Sequence, residues 1–150
     1  MASWVLRPDL VLDVSANYVS NVGYDQDEVI ARAGCRPVTN PVPGGPVEVC
    51  PGSSADAYRL DFRLGNPDIA QAWAWRAFFA YHYAEADAVL DAFTDSDFHR
   101  GGTDAEGYTL GGELGITKNT WLRLRYMTAD EIDGAPLGID VLQLDLNAKF

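Results

Sequence analysis

The sequence predicts an all-β fold, an antiparallel transmembrane β-barrel segment of about six strands. Three observations favour it. Apolar and polar residues alternate with a period of two in six segments, the charges of these segments fall on the polar side, and long and short connections alternate along the chain. The predicted strands cover about residues 10–20, 57–65, 70–83, 108–116, 121–128 and 139–150.

The alternation separates two faces, and we expect the apolar one to carry no charge. The polar face holds six basic and four acidic residues, which we expect to line a pore as a mixed, slightly basic wall under an acidic outer mouth. The alternative is that these charges pair with one another while the loop acids are solvated surface. The predicted pore-lining residues are Asp13, Arg59, Asp61, Arg63, Arg76, Glu113, Arg123, Arg125, Asp145 and Lys149.

Strand length and connections distinguish a membrane sheet from a soluble one. A tilted spanning strand needs about 9–11 residues, and five of the six segments reach roughly that length. Residues 66–68 and 117–119 read as short turns, whereas 23–56, 84–107 and the segment after 128 read as long loops. Outer-membrane barrels have short periplasmic turns and longer extracellular loops, so the order predicts a location in the bacterial outer membrane.

Composition narrows the function classes. The 150 residues suggest a single domain. The net charge of −11 argues against a nucleic-acid partner, because phosphate binding needs a basic face. No run of 18 or more apolar residues is present, so no transmembrane helix is expected. The segment from Met1 to Arg7 lacks the features of a secretory signal, which favours a processed chain or a fragment.

The two cysteines, Cys35 and Cys50, bracket a stretch rich in proline and glycine. In an oxidising compartment this arrangement favours a disulfide that closes the loop. The alternative is two free and unrelated thiols. The spacing is not that of a zinc site, which would need further Cys or His nearby.

No catalytic pattern is present, so we expect no enzymatic activity and no cofactor. His82 and His99 are the two histidines, and neither belongs to a Ser-His-Asp order. There is no phosphate-binding or dinucleotide fingerprint. The acidic segment 85–106 could hold a divalent cation, although its spacing matches no EF-hand. The best candidate ligands there are Asp95, Asp97 and Asp104.

Several blocks of the chain carry a family resemblance, which covers about Asp61 to Phe150. These blocks are Asp95–Tyr108, Lys118–Trp121, Thr128–Gly134 and Asp140–Phe150. They resemble the "putative porin" family of Gram-negative outer membranes. The resemblance implies a porin-type barrel that passes small polar solutes or ions, and it supplies no catalytic residues.

The end of the chain also resembles the signal by which outer-membrane proteins are recognised for insertion. It implies the outer-membrane lipid and the barrel-assembly machinery as partners. The residues of this signal share one face and are Leu142, Leu144, Leu146, Ala148 and Phe150.

The strand count departs from the family. Single-chain bacterial barrels start at eight strands, and six would leave two open edges in lipid. We therefore expect residues 1–150 to be the C-terminal portion of a larger barrel. The alternative is a barrel closed by several chains, and the oligomeric state stays open. One alternative is a soluble β-sandwich or small barrel that binds a ligand against the aromatic face of residues 70–83. Another is a non-channel barrel that acts as an adhesin.

Overall fold

The computed structural model describes residues 1–34, 36–38, 47–49, 55–89, 94–99, 101–133 and 136–149. Within these ranges no helix has the length and hydropathy to cross a membrane. The elements are β1 (Ala2–Arg7), β2 (Leu10–Ser20), α1 (Gln26–Ala33), β3 (Arg36–Val38), β4 (Val47–Val49), β5 (Asp56–Gly65), β6 (Trp75–Ala84), β7 (Ala105–Thr117), β8 (Thr120–Glu131) and β9 (Gly138–Ala148).

The main sheet is an antiparallel meander, which confirms the predicted all-β antiparallel fold. Among the described residues its order is β1-β2-β5-β6-β7-β8-β9, and β3 and β4 form a separate pair. Every neighbouring pair is antiparallel. The edges of this seven-stranded sheet are β1 and β9. Because seven is odd, these two edge strands run in the same direction.

The six predicted strands all exist, and several details differ from the prediction. The strand β1 was not predicted, and neither was α1, whose first turn is capped by Asp25 accepting a hydrogen bond from the Glu28 backbone N–H at 3.1 Å. The final strand β9 ends at Ala148, not at residue 150. The third predicted strand begins at Trp75, so residues 70–74 lie outside it.

Side-chain hydrogen bonds explain the late start of β6. The carboxylate of Asp68 accepts the backbone N–H of Ala70 at 3.0 Å, which is a local turn that competes with a strand. The side chain of Asn66 then accepts the backbone N–H of Trp75 at 2.8 Å and closes the connection. Trp73, which lies between Ala70 and Trp75, adopts a positive φ of 65°. The alternation of apolar and polar residues does not reveal these hydrogen bonds.

The connections lie in two sets, one at each end of the sheet. Residues 8–9, 66–74 and 118–119 join strands at one end, here called the turn end. Residues 21–55, 85–104 and 132–137 join them at the other, the loop end. The prediction of strict alternation between short and long connections is wrong in one respect, because the turn-end connection 66–74 is longer than the loop-end connection 132–137.

The two faces of the sheet differ in exposure. In β9 every second residue is exposed, from Gly138 to Ala148, and the residues between them are half-buried. The exposed positions include three leucines: Leu142, Leu144 and Leu146 are 72%, 68% and 70% exposed. A small buried cluster lies on the opposite, polar face and consists of Phe98, Ala105, Met127 and Ala129, with Val141 packed against it.

Candidate functional site

The strand register places the predicted charged residues on one face. Arg63 lies opposite Asp13. Glu113 lies opposite both Arg76 and Arg123. Lys149 follows the last residue of β9 and is exposed, so it lies outside the strand in which it was predicted. That these residues line a pore stays a prediction. The polar-face members are Asp13, Arg59, Asp61, Arg63, Arg76, Glu113, Arg123, Arg125 and Asp145.

Glu113 is the centre of the polar face. It lies in the middle of β7 and is only 6% exposed. It forms ion pairs with arginines of both neighbouring strands. Its Oε1 lies 2.6 Å from Nη2 of Arg123, and its Oε2 lies 3.5 Å from Nε of Arg76. A carboxylate this buried requires such partners, because its desolvation is otherwise costly. One acid shared by two arginines leaves this group with a net positive charge.

The remaining charges of the polar face divide into paired and unpaired residues. Arg59 pairs with Asp61 at 2.7 Å, and Arg125 pairs with Asp97 at 3.0 Å. In the described part of the chain Arg63 has no ion pair, although Asp13 lies opposite it. Many charges of the polar face therefore pair with one another, but its arginines outnumber their acidic partners in the described ranges.

Two acids on this face bond to polar neighbours. Asp13 accepts a hydrogen bond from the hydroxyl of Ser3 at 2.5 Å. Asp145 lies opposite Arg123 but accepts a hydrogen bond from the side-chain amide of Gln143 at 3.1 Å. Neither acid forms an ion pair within the described ranges. The opposing arginines therefore keep donors free toward the space above the sheet.

The connection between β6 and β7 folds over the polar face at the loop end. Phe98 stacks on the His82 ring, with centroids 4.5 Å apart, and packs against Met127. Asp97 reaches the guanidinium of Arg125. Farther along, the hydroxyl of Thr103 donates to the carbonyl of Ala86 at 2.5 Å. The segment 94–99 is thus held by stacking, by packing and by one ion pair, and it narrows the space above the sheet.

The three aspartates considered as cation ligands have separate partners. Asp95 accepts the backbone N–H of Asp97 at 3.0 Å, Asp97 pairs with Arg125, and Asp104 accepts the backbone N–H of Asp133 at 2.9 Å. Among the described residues no group of three or more His, Cys, Asp or Glu side chains is placed to hold a metal ion.

Two further sets of predicted residues lie wholly or partly outside the described residues. Cys35 and Cys50, the predicted disulfide, lie outside the described residues, and so does Phe150 of the predicted insertion signal. The other members of that signal share the apolar face of β9, and its leucines are strongly exposed. Those members are Leu142, Leu144, Leu146 and Ala148.

Aromatic residues divide between the two ends of the apolar face. Toward the turn end it carries Trp4 and Trp75, and the exposed Trp73 lies in the adjacent connection. Between the two ends lie rows of leucine, phenylalanine and valine. All the tyrosines of the sheet lie on this face, from its middle toward the loop end: Tyr18, Tyr58, Tyr81, Tyr83, Tyr108 and Tyr126.

Carboxylates accompany the tyrosines, which corrects the expectation of an apolar face without charge. Tyr81 donates its hydroxyl to Glu106 at 3.0 Å, and Tyr126 donates to Asp140 at 3.1 Å. By register both acids lie on the apolar face. They occur near the strand ends at the loop end, where water can reach a charge, and the phenols satisfy their oxygens.

One polar-face residue that the sequence reasoning missed is Phe78. It lies opposite Arg63 and Gly111, in the middle of the charged face. Its place on the polar face could be predicted, because it is an aromatic residue at a polar position of the alternation in residues 75–84. Its neighbours could not be predicted, because they depend on how the strands pair.

Two loop carboxyls have shifted pKa values of opposite sign, one at each end of the sheet. At the turn end, hydrogen bonds from the Ala70 backbone and the Gln71 side chain lower the pKa of Asp68 from 3.8. At the loop end, burial raises the pKa of Asp104, and Asp133 and Glu131 add repulsion. The hydrogen bond from the Asp133 backbone acts in the other direction but does not reverse that shift.

Comparison with known proteins gives one match. A family model described as "Putative porin" matches residues 5–150, which is nearly the whole chain. A search of curated proteins and a search of solved structures returned no match. The two-faced antiparallel sheet and the extent of this match agree, and the chain belongs to the putative porin family.

Proposed function

We propose that this chain forms part of the wall of an outer-membrane porin through which small polar solutes and ions diffuse passively. Family membership and the sheet support this proposal. In this arrangement the apolar face contacts lipid and the polar face lines water. No catalytic role is needed for any of the charged residues, because a passive channel requires only a polar wall and a space.

The observation that carries the proposal is the banding of the apolar face. Tyr83 near the loop end and Trp75 at the turn end are eight residues apart on the single strand β6. At about 3.3 Å per residue this separation spans about 26 Å. Outer-membrane barrels carry an apolar band about 25 Å tall between two aromatic girdles, and strand tilt makes the projected height somewhat smaller. A soluble sheet has no reason to keep tyrosines and tryptophans in different halves of its exposed face.

The open edges indicate what completes the pore. Unpaired backbone groups at β1 and β9 cannot face lipid, so the wall continues beyond this sheet. Since β1 and β9 run in the same direction, antiparallel closure requires an odd number of additional strands. Two copies of this sheet in the same membrane orientation would meet in a parallel pair, which bacterial barrels do not use. We therefore favour one larger barrel, assembled by the barrel-assembly machinery.

The proposal is tested on the native assembly, extracted from the outer membrane in mild detergent and added to a planar lipid bilayer. We expect stepwise, ohmic conductance increases in potassium chloride. A correctly folded assembly that gives no conductance would contradict the channel function. Recovery of the chain as a monomer in buffer without detergent would contradict the membrane location and favour a binding module instead.

A further inference from the structure

A cavity of about 160 Å³ lies above the polar face and has an aromatic surface within a ring of arginines. Phe78 supplies that surface. The guanidinium of Arg123 lies 6.0 Å from the centroid of its ring, and Arg63 is its neighbour on β5. Gly111 makes room for the ring, because a Cβ there would lie 2.4 Å from Cζ of Phe78. The ring thus occupies the space of a missing side chain.

The cavity carries an excess of positive charge. Its walls include five arginines and three acids, and those acids are Asp61, Glu113 and Asp95. Asp61 neutralises Arg59, while Glu113 is shared between two arginines. Arg125 is paired from above by Asp97, and its Nε is buried without a hydrogen-bond partner in the described structure. The arginines that surround the cavity are Arg59, Arg63, Arg76, Arg123 and Arg125.

The acids just outside the cavity form no ion pair with its arginines among the described residues. Asp13 and Asp145 face Arg63 and Arg123 across the strands but bond to Ser3 and Gln143. Asp95 lines the cavity, and its carboxylate also accepts a backbone N–H within its own loop. Within the described ranges Arg63, which is exposed, therefore has no ion pair and lies beside the Phe78 ring.

We propose that this cavity binds small organic anions that combine a carboxylate with an apolar or aromatic body. Guanidinium groups bind carboxylates through two parallel hydrogen bonds, and an aromatic surface favours an apolar body. A cavity of about 150 Å³ is large enough to hold a benzene ring. The inference rests on the proposed porin function and names the class of solute that its wall favours, with Arg63 and Phe78 as the residues that determine specificity.

The test is a binding titration of the native assembly in detergent micelles with benzoate, benzylamine and acetate. Benzylamine has the same ring with the opposite charge, and acetate has the same charge without the ring. We expect benzoate to bind more tightly than either by about tenfold or more, because one charge-assisted hydrogen bond is worth at least that factor. Equal binding of benzoate and benzylamine would overturn the proposal.

Variants locate the site. We expect Arg63→Gln and Phe78→Leu each to weaken benzoate binding by about tenfold, and Arg63→Lys to retain part of it. The matched control is Arg32→Gln in α1, which removes an exposed arginine that pairs with Glu28 and should leave binding unchanged. If Arg63→Gln folds but binds benzoate as tightly as the original protein, the assignment is wrong. If it does not fold, Arg63→Lys and the comparison of the three ligands decide.

Conductance separates this inference from the porin proposal. A conducting assembly that does not distinguish benzoate from benzylamine contradicts the anion site and leaves the channel intact. An assembly that binds benzoate but never conducts contradicts the channel and leaves the site intact.

Discussion

The two faces of the sheet reverse the usual relation between polarity and burial. On one face Leu144 is 68% exposed, while on the other Glu113 is 6% exposed between two arginines. A soluble antiparallel sheet covers its apolar face with a core and leaves the polar face in water. Here the polar face is partly covered by the segment 94–99, and the apolar face has no covering element among the described residues. The difference is accounted for if lipid takes the place of the core.

The largest difference in stability is expected between a lysine placed on the apolar face and a lysine placed at the same depth on the polar face. Val14 and Ser15 are adjacent in the middle of β2 and point to opposite faces. Val14→Lys, opposite Phe62, should lower the free energy of unfolding in lipid vesicles by about 2–4 kcal/mol. Ser15→Lys lies opposite Asp61 and should change it by less than about 1 kcal/mol. Urea unfolding measures both, and equal effects would contradict a lipid-facing apolar surface.

The next effect concerns the buried acid of the polar face. Glu113→Gln leaves Arg76 and Arg123 without their shared anion and should destabilise the protein by about 1.5–3 kcal/mol. The control Glu28→Gln breaks the exposed ion pair to Arg32 and should cost less than about 1 kcal/mol. The same unfolding measurement applies. If Glu113→Gln leaves the free energy of unfolding unchanged, water already screens these charges, and the polar face is more open to water than the 6% exposure of Glu113 indicates.

A smaller contrast is expected between two adjacent glycines. Gly111 lies on the polar face, where an added Cβ would come within 2.4 Å of both the Phe78 ring and the Leu124 carbonyl. Gly112 lies on the apolar face, where the nearest atom would be 3.5 Å away. Gly111→Ala should therefore destabilise the sheet by about 1–3 kcal/mol, and Gly112→Ala should be close to neutral. Thermal unfolding distinguishes them, and the opposite order would reverse the assignment of the two faces.

The smallest effect is on pH dependence at the two ends of the sheet. The raised pKa of Asp104 means that its contribution is complete in acid and is lost as the pH rises through that pKa. Asp104→Asn should therefore raise the melting temperature at pH 7 more than at pH 4. The lowered pKa of Asp68 has the opposite sign, with stability lost as the pH falls below about 4. Asp68→Asn should lower the melting temperature at pH 7, and the difference should shrink as the pH falls through the lowered pKa. Parallel pH profiles for the two variants would contradict these assignments.

Much of the sheet was predictable because alternation depends only on side-chain polarity. The limits of β2 match the predicted residues 10–20, and the polar-face charges follow from the same pattern. The late start of β6 was not predictable, since residues 70–74 alternate like a strand but are held in a turn by Asn66 and Asp68. The helix α1 was readable from Asp25 and Glu28, three residues apart as in a helix N-terminal cap.

Features that depend on register could not be read from the sequence. The shared partner of Arg76 and Arg123 is known only once β6 and β8 are paired with β7. The room for Phe78 depends on Gly111 lying opposite it. The contact between Asp97 and Arg125 joins a loop to a strand and has no periodic signal.

Spin labels along β9 test the central claim, that the apolar face meets lipid and the polar face meets water, most directly. In a variant with Cys35 and Cys50 replaced by serine, single labelled cysteines are placed at residues 142–147 and the assembly is reconstituted in vesicles. Labels at 142, 144 and 146 should be relaxed mainly by oxygen, which concentrates in lipid. Labels at 143, 145 and 147 should be relaxed mainly by a water-soluble nickel chelate. Loss of this alternation, with all six labels equally accessible to the chelate, would contradict the account.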